Sequence, residues 1–579
     1  MAAATLFADA TVPTLLDAVA ARCPRREAMV LGDERLTFAD FRERAVALAA
    51  GLAALGIGRD DKVAIWLPTR PAWFIVQHAC ARLGAVVVAL NPRYRAHELS
   101  YILAQSDARA LVLTDHLGPI DYFETLHEVM PGLAHGTPGE LELQTLPQLR
   151  HVIVDADDPY PGCHRLRDVF DAADPGDVAP RTAGPRHAAS RAGARSAGAA
   201  AGERGFEQGR RAPAPGPGPD DVFTLLYTSG TTSFPKGAMI SHRNCVPHAW
   251  NCGEQLKLTP DDRVLHALPA AGTWGGVNIP LSTWSHGACL VLMEVFDPVR
   301  ALWLIERERC TVWNAVDQMA RAVLEHPELD RYDRRTLRTG GFAAVGGGGH
   351  GLFEAVVERI GIPLAYQPYG MTEVNAMAMF HDLGEPVGLR ALPGIIPAPG
   401  LEVRVAHPDS GSPCRADEEG ELQFRGGLVT RGYYQKPEET ARAFTDDGWF
   451  RSGDLGVRTA AGHVVFKGRL RETLRISHHM VAPGEIEAFL TSHPDVDQAF
   501  VVGIPDPRTN EAAVAYVIVK DGARLTEDEL QAFCRGRIAS FKVPRAVRFV
   551  KDVPRTPGPH GDKIQRGKLR EQALQELSS

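Results

Sequence analysis

Tyr227-Thr-Ser-Gly-Thr-Thr-Ser-Phe-Pro-Lys-Gly237 is the strongest chemical signal in this 579-residue chain. Thr228, Ser229, Gly230, Thr231 and Thr232 are small or hydroxyl-bearing, so backbone N–H and side-chain O–H groups can converge there on phosphate oxygens. Lys236 adds a compact positive charge at the end of the loop. The spacing departs from GxxxxGK[ST], which excludes a P-loop NTPase. Taken alone, a Gly/Thr-rich stretch is equally well an ordinary surface turn, and its weight depends on what lies around it.

The elements that would position this loop alternate along the chain. The apolar run Val222-Phe-Thr-Leu-Leu226 precedes it, so the loop begins where a strand ends. Upstream, Phe41, Ala45, Leu48, Leu52 and Leu55 recur at helical spacing and predict a helix over 39–57, stopped by Gly56 and Gly58. A strand at 63–67, a helix at 72–83, a strand at 85–89, a helix at 96–105 and strands at 110–113 and 151–154 follow. Strands and helices alternating in this way predict an α/β fold with parallel sheets wrapped by helices. From about 470 the pattern shortens to a small α+β unit. It has helices at 485–490 and 527–538 and strands at 499–502, 512–519 and 547–550. The domains expected are therefore a large one over 1–467 and a small one over 468–579. Residues 184–219 are nearly all Ala, Gly, Pro, Arg and Ser and cannot bury enough surface to offset ordering, so a disordered insertion is expected there.

Composition narrows the function. The net charge of -8 lacks the basic surplus of a nucleic-acid binder. Nine singly scattered cysteines, with no CxxC pair, read as reduced thiols and predict a cytoplasmic protein without a disulfide framework or zinc site. No apolar stretch reaches the roughly 20 residues of a membrane span, and the first residues lack the basic flank and long apolar core of a signal peptide.

With Tyr369-Gly-Met-Thr-Glu373 and Gly448-Trp-Phe-Arg-Ser-Gly-Asp-Leu-Gly456 added in that order, the chain resembles the adenylate-forming (AMP-binding) superfamily, which includes acyl-CoA synthetases and firefly-type luciferases. The likeness runs from about Leu15 to Arg570, apart from the insertion. It implies that the 228–232 loop and Lys236 hold the outer phosphates of ATP. Tyr369 would stack on adenine, with Gly370 beside it and Gly341 lining the same pocket. Thr372 would touch the α-phosphate. Glu373 would ligate Mg²⁺, a hard cation suited to carboxylate oxygen. Asp454 would accept from the ribose hydroxyls, as acidic residues do in dinucleotide sites. Arg469 would contact ribose and phosphate. Arg471 falls at the pivot of a mobile C-terminal domain, and Lys563 matches the catalytic lysine.

The implied activity is an AMP-forming ligase. It would join an acid to AMP from Mg-ATP, release pyrophosphate and pass the acyl group to coenzyme A. Several positions depart from the family pattern. Ser233 replaces a glycine, Gly346-Gly-Gly-Gly349 is unusual, and Gly558-Pro-His-Gly-Asp562 lengthens the turn before Lys563. Ile476-Ser-His-His479 replaces small residues beside the CoA channel, so His478 and His479 narrow it or act as a base. Pro269-Ala-Ala-Gly272 replaces an aromatic and a histidine at the acid site, implying a different substrate shape. Two alternatives stand beside the CoA ligase. One is an adenylating enzyme that hands its product to an amine or a carrier-protein thiol, including nitrite activation for diazotisation of an aryl amine. The other is a nucleotide-binding regulator without catalysis, which the presence of Lys236, Glu373, Asp454 and Lys563 disfavours.

Overall fold

The computed structural model describes residues 7, 9–172, 216–228, 235–343, 351–476, 479–506, 508–535, 537–538, 540–556 and 563–577. The expected insertion at 184–219 lies outside them, except for 216–219, as do Gly346–Gly349 and the turn at 558–562.

The fold is mixed α/β with a large N-terminal and a small C-terminal part. One seven-stranded sheet runs in the order Lys236–Ser241, Val222–Thr228, Val86–Ala89, Lys62–Trp66, Ala108–Thr114, His151–Asp155, His164–Arg165. All its pairings are parallel except the first. Alternate residues of these strands enter two different cores. Val63, Ile65, Val87, Val112 and Ile153 pack on one face, while Trp66, Val88, Leu111, Leu113 and Val154 pack on the other. A sheet buried on both faces requires the unbroken apolar runs seen in the sequence, and each such Val, Leu or Ile contributes about 1.5–3 kcal/mol on burial.

A second, eight-stranded sheet contains Arg263–His266, Cys289–Leu292, Val312–Trp313, Thr339–Ala343 and Leu364–Tyr366. Between the sheets lie the helices Phe38–Ala54 and Pro71–Leu83, which pack on each other. The first starts at Thr37, whose hydroxyl oxygen accepts from Asp40 N–H while Asp40 accepts from Thr37 N–H, a capping box. The second is buried from Trp73 through Ala81, as a helix held between two sheets must be.

A four-stranded antiparallel sheet follows, Leu401–Ala406, Glu419–Gly426, Phe450–Arg458 and Val464–Arg469. The 3-10 turn Leu470–Glu472 leads into the small part. There His479–Val481, Leu474–Ile476, Asn510–Val519 and Val496–Asp506 pair antiparallel, and Ala546–Phe549 adds in parallel. The helix expected over 527–538 ends at Cys534, where Arg535 turns extended beside Gly536.

One charge cluster joins the two parts and a second braces the small part. Glu485 accepts from Lys467 Nζ at 2.9 Å and from Lys542 Nζ at 2.6 Å. Arg566 holds Glu487 at 2.5 Å, donates to the Val501 carbonyl at 2.8 Å and lies 3.2 Å from Glu472. All nine cysteines are unpaired. Among the described residues no helix is long and apolar enough to cross a membrane.

Candidate active site

The proposed phosphate segment closes a hairpin. Val222–Thr228 and Lys236–Ser241 pair antiparallel with Thr228 opposite Lys236. Ser229, Gly230, Thr231, Thr232 and Ser233 lie outside the described residues. Against the edge strand runs the segment 432–434. Met239 N–H donates to the Gly432 carbonyl at 2.9 Å, and Tyr434 N–H to the Gly237 carbonyl at 2.8 Å. This pairing delivers Tyr433, a residue to which the sequence alone assigned no role. Its ring sits 5.1 Å from Lys236 Nζ, a cation–π contact. Its hydroxyl donates to Glu373 Oε1 at 2.9 Å, and Thr228 Oγ1 reaches the same oxygen at 3.4 Å. Burial, reinforced by the Glu373 charge, pushes the Tyr433 hydroxyl well above its usual range, so it remains a donor. The flanking glycine, Gly432 at φ 115°, is the sequence feature that marks this unusual approach.

Glu373 is carried by the short turn Thr372–Val374, which ends in two left-handed residues, Asn375 at φ 62° and Ala376 at φ 69°. The turn is pinned from outside. Thr430 N–H donates to the Glu373 carbonyl at 2.7 Å, and Asn375 Nδ2 donates to the Asn244 carbonyl at 2.6 Å. Thr372 stays half-buried on the same turn.

Tyr369 faces the antiparallel sheet. Its hydroxyl donates to Asp454 Oδ2 at 2.6 Å, and its ring packs against Phe424 and Phe466. Arg469 Nη1 lies 2.9 Å from Asp454 Oδ1, because the strand register sets Asp454 opposite Arg469. Oδ1 makes no hydrogen bond among the described residues, so it keeps acceptor capacity for a ligand hydroxyl. Burial pushes the Asp454 carboxyl up to about 6, against the pull of Arg469 and Tyr369, and Glu373 adds in the upward direction. The Glu373 charge also acts on Arg469, so the two groups of residues form one electrostatic site. Gly341 borders it: its N–H donates to Asn314 Oδ1 at 2.8 Å, and it pairs with Tyr366, just before Tyr369.

The fold thus brings together Thr228, Lys236, Glu373, Tyr369, Asp454 and Arg469, with Gly341, Gly370 and Thr372 on the adjoining backbone. Lys563 belongs to the small part, with its backbone opposite Thr556 in the two-residue ladder of Arg555–Thr556 and Lys563–Ile564. His479 pairs with Ile476 across a hairpin, while Ser477 and His478 lie outside the described residues.

Asp454 gives a pH prediction. Its carboxyl is raised from 3.8 to about 6, so the folded protein binds this proton more readily than the unfolded chain does. Its contribution to stability therefore grows as pH falls from about 6 to about 4. Protonation at the same time removes the anionic acceptor. Between pH 7.5 and 5 we expect adenosine affinity to fall roughly tenfold in the parent protein and to stay flat, and weak, in Asp454→Asn, as read by calorimetric titration.

Residues 16–434 match the family model described as AMP-binding enzyme, and residues 485–558 match AMP-binding enzyme C-terminal domain. The human protein named medium-chain acyl-CoA ligase ACSF2, mitochondrial, is 32% identical over 575 residues, which is 98% of this chain and 88% of that one. ATP-bound MatB from Rhodopseudomonas palustris superposes with a TM-score of 0.78 at 25% identity, covering 98% of this chain and all of that one. The amide bond synthetase McbA from Marinactinospora thermotolerans superposes at 0.75 and 25%, covering 97% and 99%.

Proposed function

The chain belongs to the AMP-binding enzyme family, and we propose that it adenylates an acid with ATP and transfers the acyl group to coenzyme A. A carboxylate is a poor electrophile, since its charge is delocalised and oxide is a bad leaving group. In the first step an acid oxygen attacks the α-phosphorus, the bond to the bridging oxygen breaks, and pyrophosphate leaves. In the second the CoA thiol, losing its proton, adds to the acyl carbon and AMP departs.

The observation that carries the reading is the set Tyr369, Asp454 and Arg469, in which the buried Asp454 carboxylate takes the Tyr369 hydroxyl on Oδ2 and the exposed Arg469 guanidinium beside Oδ1, next to Thr228, Lys236 and Glu373. Asp454 and Arg469 hold the ribose, and Tyr369 borders the base. Thr372 meets the α-phosphate, and Ser229 to Thr232 with Lys236 take the outer phosphates. Mg²⁺ accompanying the nucleotide would be held at Glu373, whose carboxylate beside two hydroxyls is an oxygen donor set suited to a hard cation, and would neutralise phosphate charge. Lys563 supplies charge at the reacting phosphoryl group. The lobe boundary falls between 467 and 468, and Arg471 is the pivot.

A pyrophosphate-release assay over carboxylic acids and nitrite, with and without CoA, tests the reading. Release should depend on the acid and require no CoA, while thioester formation should require CoA. The likeness to an amide bond synthetase favours a second acceptor. AMP release stimulated by an aryl or alkyl amine but not by CoA would select it. Absence of pyrophosphate with every acid would refute both.

A further inference from the structure

The hairpin that joins Leu401–Ala406 to Glu419–Gly426 gathers three metal-ligating side chains of different chemistry. His407, Cys414 and Glu418 bring a ring nitrogen, the thiol sulfur and a carboxylate oxygen within 4.8 Å of one another. His407 Nε2 and Glu418 Oε1 lie 3.4 Å apart. Two ligands of one tetrahedral zinc ion, each about 2.0–2.1 Å from the metal, stand about 3.4 Å from each other, so this pair already has the required separation. The sulfur needs to approach by about 1 Å at most, and rotation of the half-exposed His407 and Glu418 side chains supplies that.

The backbone sets the convergence. Strand pairing opposes Ala406 to Glu421, which places the two ends of the hairpin side by side. His407 N–H donates to the Ser412 carbonyl at 2.9 Å and Gly411 N–H to the His407 carbonyl at 2.8 Å, a tight turn that reverses the chain. Cys414 N–H then donates to the Val405 carbonyl at 2.9 Å, which returns residue 414 to the strand end beside 407. Gly420 leaves room for the thiol: a methyl there would stand 2.6 Å from Cys414 Sγ and 2.5 Å from the Ala406 carbonyl oxygen. Glu418 is held as ligating carboxylates are, by a hydrogen bond to the oxygen that does not face the metal. Its Oε2 accepts from Arg415 N–H at 2.9 Å, and its Oε1 is the atom beside His407.

Thiolate, imidazole and carboxylate together suit a zinc-type ion, whereas Mg²⁺ and Ca²⁺ take oxygen ligands. Three protein ligands leave a fourth position to water. The scatter of the cysteines argues only against sites built from paired thiolates, and this set needs one. We infer that His407, Cys414 and Glu418 bind one zinc-type divalent cation, which fastens the hairpin at the end of the sheet that carries Asp454 and Arg469. On binding, Cys414 Sγ gives its proton to water and gives up its 3.6 Å contact with the Glu419 carbonyl. This goes beyond the nucleotide reading and does not rest on it.

The test is titration of the chelator-treated, full-length protein with Co²⁺ and Zn²⁺. Co²⁺ should raise a thiolate-to-metal charge-transfer band in the near ultraviolet that saturates at a single ion per chain, and Zn²⁺ should erase it while Mg²⁺ does not. Cys414→Ser should abolish the band. His407→Gln and Glu418→Gln should weaken Co²⁺ binding by at least about tenfold to a hundredfold, the range that even outer-shell changes reach. Cys23→Ser is the control, since Cys23 is likewise only partly buried, and it should leave the band unchanged. Zn²⁺ should raise the thermal midpoint of the parent protein and not that of Cys414→Ser. If Cys414→Ser does not fold, His407→Gln decides, because its ring is half-exposed. No band in the parent, a band that survives Cys414→Ser, or unchanged affinity in His407→Gln would overturn the inference. Pyrophosphate release bears on the adenylation reading alone, so the two fail separately.

Discussion

Lys563→Ala is expected to slow pyrophosphate release from ATP and acid by about a hundred- to a thousandfold, while attack of CoA on a supplied acyl-adenylate stays close to the parent rate. The asymmetry follows from where charge develops. In adenylation the α-phosphoryl group gathers negative charge as the acid oxygen arrives and pyrophosphate departs, and a preorganised cation lowers that barrier. In thioester formation the charge develops at the acyl carbonyl, and AMP is the leaving group. Lys563 belongs to the small part, where it pairs with Thr556, so its service to the nucleotide depends on the placement of that whole lobe. Measuring the two half-reactions separately, one with ATP and acid and one with synthetic adenylate, checks the claim. Equal losses in both would contradict it.

Gly370→Ala should abolish ATP binding and destabilise the protein by more than about 4 kcal/mol, the range reserved for gross steric conflict. A methyl on Gly370 would lie 1.1 Å from the Ala376 carbonyl oxygen and 3.0 Å from Ala378 N. Both are backbone atoms, which no rotamer change can move. The chain doubles back over Gly370 because Ala376 N–H donates to the Met371 carbonyl at 2.9 Å and Asn375 N–H to the Thr372 carbonyl at 3.0 Å. Unmaking that turn would carry Glu373 away from Tyr433 and Thr228. Gly388→Ala is the control, since its added methyl meets nothing within 4 Å and should change stability by less than about 0.5 kcal/mol. Calorimetric melting with and without ATP reads both variants. A Gly370→Ala protein that retained the ATP-induced shift would disprove the assignment.

The elements that were legible in the sequence are those whose burial is two-sided or strictly periodic. The helix expected over 96–105 spans Ala96–Gln105, and the strand runs at 63–67 and 110–113 fall within or beside Lys62–Trp66 and Ala108–Thr114. The four-stranded antiparallel sheet left no such trace. Phe450–Arg458 contains Ser452, Gly453, Asp454 and Gly456, so no apolar run announces it. Only its register brings Asp454 to Arg469, and the long-range fold brings both to Tyr369. Motif likeness therefore named candidate residues without indicating how they touch. Tyr433 shows the complementary gap. Its partners, Lys236 and Glu373, lie far away along the chain, and no local pattern links the three.

Arg566 has a mechanical consequence. Its guanidinium clasps Glu487 and the Val501 carbonyl inside the small lobe and reaches Glu472 at the strap that joins the lobes. Lys563, three positions earlier, is therefore anchored to the lobe as a pawl is to its wheel. A swing about the strap would therefore carry the backbone of the Lys563 segment along with the lobe as one piece, and turning the wheel, not fraying the segment, is what would move it relative to the large part.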